Sequence, residues 1–195
     1  MKEKYEKQVT LKNGLIATIR LMRIIDDTTA LQKYLNDLVD EDTFIVIDKK
    51  ISLEEEKKWQ KGQVEAFKKK EGHHLLAFID GKLAGTTAAE RERGKGRHTV
   101  QLGLSVTKKY RGIGLGEALL RTNIELVKKR LKPKIIYLRV FAPNKTACKL
   151  YEKVGFREFA VFPKSLRYRG KFVDHVYMKL EDKSKAETSY NEPRK

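Results

Sequence analysis

Two periods of apolar spacing run along the chain, and the switches between them mark its elements. Leu15 to Leu21 is apolar and β-compatible after the Asn13-Gly14 turn signal, so it predicts a strand. Thr28 to Val39 carries Leu31, Leu35 and Leu38 at helical spacing behind Asp26 and Asp27. Phe44 to Ile47 predicts a short strand. Ser52 and Glu55 form a capping box that opens a helix running through Trp59, Val64 and Phe67 to Gly72. His74 to Ile79 and Lys82 to Glu90 flank Asp80-Gly81, the strongest hairpin signal in the chain. A basic, glycine-punctuated loop, Arg91 to Arg97, leads to a strand over Thr99 to Val106 that Gly103 interrupts. A long helix follows Gly116 and stops at Pro133. Ile135 to Phe141 is apolar on both faces, as in a buried strand. Asn144 and Gly155 bracket another helix, and strands over Phe156–Phe162 and Phe172–Leu180 close the order. Strands and helices in this succession predict one mixed α/β (α+β) domain over residues 1–180.

Composition narrows the setting. The 195 residues suffice for one domain with a sizeable core. A single Cys excludes a disulfide framework and a multi-Cys zinc site, and no apolar run is long enough to span a membrane. The opening MKEKYEKQVT contains no apolar stretch, which predicts the absence of a signal peptide and a cytoplasmic location. Residues 181–195 lack apolar periodicity and read as a charged, disordered tail. The net charge of +17 suits a polyanionic partner, nucleic acid or ribosome among them, and equally suits a lysine-rich solvated surface.

Chemistry concentrates in Val106 to Gly116, a glycine-rich turn between a strand and a long helix. Glycines let backbone approach an anion, and the free N–H groups of a helix start attract pyrophosphate. Lys108, Lys109 and Arg111 add positive charge. A plain turn before a helix would share these features. The spacing is G-x-G-x-G, neither the dinucleotide fingerprint nor a P-loop.

Arg111-x-x-Gly114-x-Gly116 resembles the acetyl-CoA motif of the GCN5-related N-acetyltransferases. Leu104-Ser105-Val106 before it, and Asn144-Lys-Thr-Ala147-Cys-Lys-Leu150-Tyr151-Glu-Lys-Val-Gly155-Phe156 after it, extend the resemblance. Together with the element order it covers Leu15 to Leu180. It implies a mostly antiparallel sheet of about 6–7 strands flanked by about four helices, with splayed central strands. It also implies transfer of an acetyl group from acetyl-CoA to a primary amine within a ternary complex. The pantetheine arm would pair with the backbone of Leu104 and Val106 beside Ser105. The N–H groups of Arg111, Gly112, Ile113, Gly114, Leu115 and Gly116 would hold the pyrophosphate. Asn144 would line the cofactor path, unless it serves only as a helix cap. Tyr151 would protonate the leaving thiolate, unless it only packs in the core.

The proton acceptor departs from the family pattern. Gln101 stands where relatives have Glu, and Gln is not a base. His98 and Glu90 are the remaining candidates, His98 having a suitable unperturbed pKa unless it is only a loop-edge residue beside Arg97, and a water relay from backbone carbonyls would need no dedicated base. Lys108 stands where many relatives have Pro. Cys148 reads as a small buried helical residue rather than a nucleophile. His73, His74, His98 and His175 show no metal spacing, so no catalytic metal is expected. The resemblance puts the acceptor cleft between Thr28–Lys70 and Phe162–Val173. The acceptor itself stays open among a protein N-terminus, a lysine and a small-molecule amine. A homodimer is compatible with the sequence. Two other readings remain: a nucleic-acid- or ribosome-associated protein on the same fold, and an acyl-CoA-binding regulator without catalysis.

Overall fold

The computed structural model describes residues 5–181, so the expected tail lies outside the described residues except for Glu181. Eight strands form one open sheet in the order β1-β2-β3-β4-β5-β6-β8-β7. They are β1 (Glu6–Thr10), β2 (Ile16–Leu21), β3 (Gly72–Ile79), β4 (Lys82–Arg91), β5 (Thr99–Val106), β6 (Ile135–Phe141), β7 (Phe156–Tyr168) and β8 (Lys171–Leu180). Only β5 and β6 run parallel. Four helices, α1 (Thr28–Asp40), α2 (Leu53–Lys68), α3 (Leu115–Arg130) and α4 (Lys145–Val154), flank the sheet. Among the described residues no helix is long and apolar enough to cross a membrane.

Local chemistry accounts for most boundaries. Asp80 and Gly81 both take positive φ, 49° and 73°, the pair a tight hairpin turn needs to match strand twist. The Ser52–Glu55 capping box is formed in both directions. Asn144 accepts the Ala147 N–H at the start of α4, and Gly155 closes that helix at φ 112°. Side chains alternate across the sheet. Leu75 and Ala77 pack with Leu119 and Leu126 of α3, while Leu76 between them meets Leu31 of α1. The helices α1 and α2 therefore cover one face, and α3 and α4 the other.

Three expectations need correction. β1 is an additional edge strand: its sequence, EKQVT, has no apolar pattern because backbone pairing with β2 holds it and only Val9 packs inward. Phe44 to Ile47 forms no strand, because no neighbouring strand lies there to pair with it. Its apolar side chains line a cleft instead. β7 also continues past Phe162, through an irregularity at Pro163 where the register with β8 shifts. Proline is tolerated on an edge strand at such a bulge.

Candidate functional site

β5 and β6 are paired only from Thr99↔Ile135 to Leu102↔Leu138 and then part. β5 continues to Val106 against β4, while β6 continues to Phe141 against β8. The Thr107 N–H bonds the Ala84 carbonyl, so by antiparallel alternation Ser105 and Gly103 direct their backbone groups toward β4. Leu104 and Val106 consequently present theirs to the opening. The Arg111 Nε takes the Val106 carbonyl at 2.9 Å, which leaves both backbone groups of Leu104 and the N–H of Val106 facing the gap.

A buried polar chain holds this divergence in place. Thr87 Oγ1 donates to the Gly103 carbonyl at 2.7 Å, and the Asn123 amide donates to Thr87 Oγ1 and the Ala88 carbonyl. His73 Nε2 meets Asn123 Oδ1 at 2.6 Å. Burial lowers the His73 pKa to about 4, so the ring is neutral and Nε2–H donates. From the opposite face Tyr34 of α1 reaches Ser105 Oγ at 2.8 Å, and Ser105 Oγ also bonds Thr86. Burial pushes the Tyr34 hydroxyl up to about 12.

The gap opens at the glycine-rich turn. Gly112 and Gly114 have φ of 79° and 93°, a region that disfavours any side chain. The N–H groups from Gly112 to Glu117 find no acceptor among the described residues, and Gly114 at the N-cap offers no side-chain cap. A row of unmade donors at the positive end of a 16-residue helix is an anion site. The Arg111 guanidinium does not face it freely, because both of its terminal nitrogens bind the Glu41 carboxylate.

Turn, gap and α1–α2 wall enclose one continuous cleft of 1260 Å³. Tyr151 lines it from α4, buried to 6% exposure, and its hydroxyl makes no hydrogen bond among the described residues. Burial, with Cys148 nearby, raises its pKa above the ordinary tyrosine value. Asn144 also lines the cleft while its side-chain oxygen caps α4. The segment after α1 straps the two walls together: Glu41 holds Arg111, Asp42 pairs with Arg169, and Phe44 stacks on Tyr168 at 4.4 Å between ring centres.

The sequence-predicted residues divide between cleft and surface. Leu104, Ser105, Val106, Arg111, Gly112, Gly114, Gly116, Asn144 and Tyr151 share the cleft. Ile113 and Leu115 complete the turn with their side chains in the core beside β2 and β3. His98 is not brought to Tyr151. It is exposed in the turn before β5, at the far end of that strand, where its carbonyl accepts the Lys134 and Ile135 N–H groups. Glu90 pairs with Gln101 toward the same end and does not line the cleft. Gln101 does line it, its amide oxygen accepting the Tyr137 hydroxyl at 2.9 Å.

One residue was missed. Glu56 of α2 lines the cleft and is only 2% exposed. It makes no ion pair or hydrogen bond among the described residues, and burial raises its pKa to about 7. Glu56, Trp59, Gln60 and Phe67 fall on one stripe of α2, but in a helix this densely charged only the fold shows that the stripe turns inward. Gln60 beside it is also buried, donating to the Arg23 and Asp26 carbonyls. No group of residues suited to a metal occurs among the described residues.

The acetyltransferase (GNAT) family model matches residues 33–156. The L-amino acid N-acetyltransferase AaaT of Escherichia coli is 33% identical over 105 residues, 53% of this chain and 65% of that protein. An N-alpha-acetyltransferase of Sulfurisphaera tokodaii is 31% identical over 109 residues, 50% of this chain and 64% of that protein. The matches thus span just under two thirds of either relative. Among solved structures, a GNAT-family acetyltransferase from Streptococcus pneumoniae superposes with a TM-score of 0.75 at 28% identity, covering 84% of this chain and 98% of that one. YncA of Salmonella typhimurium, solved with its cofactor acetyl-CoA, superposes with a TM-score of 0.73 at 23% identity, covering 85% and 93%.

Proposed function

The chain belongs to the acetyltransferase (GNAT) family, and from that premise we propose that it transfers the acetyl group of acetyl-CoA to the α-amino group of an acceptor. The observation that carries the proposal is the parting of β5 from β6 beyond Leu102, with Leu104 unpaired along the opening and unmade N–H groups at its mouth. These residues fit a pyrophosphate joined to an amide-bearing arm: Gly112 to Glu117 would hold the phosphates, and Leu104 and Val106 the arm. Both curated relatives are named for work on amino acids or N-termini, which favours an α-amine over a lysine side chain.

Bound acetyl-CoA supplies an acyl group already activated as a thioester. The chain's residues then manage two protons. An amine attacks only in its free form, so a base must take a proton from the acceptor's ammonium. Glu56 serves here: it lies in the cleft and holds a proton to near neutral pH, so it titrates where the reaction needs it. Tyr151 donates its hydroxyl proton to the departing sulfur, and the high pKa that burial gives it keeps that proton in place until the sulfur becomes basic. The Glu41–Asp42–Phe44 strap closes the cleft toward β7 and β8 and shields it from water.

A free-thiol assay with acetyl-CoA tests the proposal against three acceptor sets: amino acids, short peptides with free N-termini, and Nα-blocked peptides containing lysine. Turnover with either of the first two and none with the third is expected. Turnover confined to the blocked lysine peptides contradicts the α-amine assignment.

A further inference from the structure

We propose that the end of the molecule opposite the cleft is a docking surface for the phosphate backbone of a nucleic-acid duplex. β5 runs from this end to the glycine-rich turn and α3 runs back, so the two ends stand about 23 Å apart. Three segments meet here: residues 65–72 from the end of α2 into β3, residues 90–98 between β4 and β5, and residues 128–135 between α3 and β6. They carry twelve Lys and Arg against four Glu, close to half the net charge of +17 in about an eighth of the chain.

One arginine fixes their arrangement. The Arg91 guanidinium donates to the carbonyls of Lys70, Arg97 and Leu131, one from each segment. The His98 carbonyl adds a second tie by accepting the Lys134 and Ile135 N–H groups. Arg91 thus fastens the three segments from inside, Arg130 donates to the Phe67 carbonyl and lies over the Phe67 ring, and the remaining ten lysines and arginines are exposed.

Two features separate this surface from an ordinary charged one. The first is the lack of partners. Arg93, Lys95, Arg97, Lys129, Lys132 and Lys134 are exposed and form no ion pair among the described residues. Around the cleft Arg111, Lys153 and Arg169 each hold a carboxylate, while Arg139 and Lys149 there form no ion pair among the described residues. The four glutamates gather around a 710 Å³ groove beside α2 that Lys69, Arg91, Arg93 and Arg97 also line, while residues 128–135 on the α3 side carry five cations and no acidic residue. Lysines do complement the negative ends of α2 and α3, but each end carries only about half a charge.

The second feature is shape and polarity. The cations spread over the ends of three adjacent strands and the helical layers on both faces, on the order of 20 Å in each direction. An acidic peptide strand would meet only one line of them. Insertion into a membrane would need apolar side chains, and Ile135 is the one large apolar residue here more than a third exposed. A duplex presents phosphates across a comparable width and needs no such insertion.

Fluorescence anisotropy with 20-bp RNA and 20-bp DNA duplexes, from 50 to 200 mM KCl, tests the proposal. Contact with about five or six phosphates gives a log–log salt slope near −5 and an affinity loss of about 10³-fold over that range. The K95E/K129E/K132E variant should bind at least 10-fold more weakly, with a shallower slope. A charge-matched K164E/R167E/K171E variant in the β7–β8 hairpin should keep the native affinity. Whichever duplex binds more tightly identifies the source. No binding at 50 mM overturns the proposal, as does equal weakening in both variants, or binding only to poly-glutamate or anionic vesicles. Lysine acylation footprinting of the unmutated chain gives an independent reading: added duplex must protect Lys129, Lys132 and Lys134, and unchanged labelling there contradicts the surface.

Discussion

Glu56, the proposed base, is a buried carboxylate lining the cleft. Its pKa is raised from 4.5 to about 7 by burial, so between these values the native state holds a proton that the unfolded chain has released. Stability therefore falls as pH rises through this window, and above it the buried carboxylate is a standing cost. E56Q should accordingly be more stable than the parent at pH 8, by on the order of 2 kcal/mol, with no gain at pH 4.5. Urea denaturation at the two pH values checks the sign. The same variant should lose about 10²-fold in kcat/KM at pH 7.5, and its pH–rate profile should lack the limb near 7. Tyr151→Phe should lower kcat about 10²-fold with little change in acetyl-CoA affinity; full activity would reduce Tyr151 to a packing residue. Tyr151 was legible in the sequence because a spaced motif carries it. Glu56 was not, because a glutamate in a densely charged helix reads as solvated until the fold turns that stripe inward.

At the scale of elements, the divergence of β5 from β6 rests on the His73–Asn123–Thr87–Gly103 chain. Asn123→Leu strips a partner from both His73 and Thr87 in the interior and should cost about 3 kcal/mol, read by urea denaturation. Acid acts on the same chain. His73 is lowered from 6.5 to about 4, so its contribution is complete above 6.5 and is lost as pH falls toward 4. The strap between α1 and α2 allows a separate test. The Glu41 carboxylate occupies Arg111 beside the proposed pyrophosphate site. E41Q removes that competitor and one negative charge, so acetyl-CoA affinity should rise by about 2-fold to 5-fold, as 0.3–1 kcal/mol effects at helix N-termini and exposed ion pairs would give. Weaker binding in E41Q would mean that the strap is needed closed. Elements with their own punctuation were legible: the Asp80-Gly81 hairpin, the Ser52 capping box, and α4 between Asn144 and Gly155. β1 and the strap were not. β1 is fixed by backbone pairing that leaves no side-chain pattern, and the apolar run Phe44–Ile47 serves a cleft wall rather than a strand.

For the whole molecule, the helical period of the apolar pattern agrees with the layers, and the amphipathic helices cover the two faces of the sheet. β6 lies inside the sheet, but it is not buried on both faces as its apolar run predicts: Ile136, Leu138 and Val140 are buried, whereas Ile135 and Arg139 on the other face are exposed. The total charge was equally plain in sequence, but its distribution depends on topology that joins residues far apart in the chain, such as Lys70, Arg97 and Leu131 around Arg91. The same topology sets His98 at the far end of β5, outside the lining of the cleft. The central claim is that the glycine-rich turn and the parted strands receive acetyl-CoA. Calorimetric titration of acetyl-CoA into the parent, Gly114→Ala and Gly114→Asp tests it most directly. Both variants place a Cβ at φ 93°, so their comparison separates what the Asp carboxylate adds from the effect of a side chain there. One-to-one binding by the parent is expected, with at least 10-fold weaker binding by Gly114→Asp than by Gly114→Ala. Equal affinity in the two variants, or no binding by the parent, would contradict it.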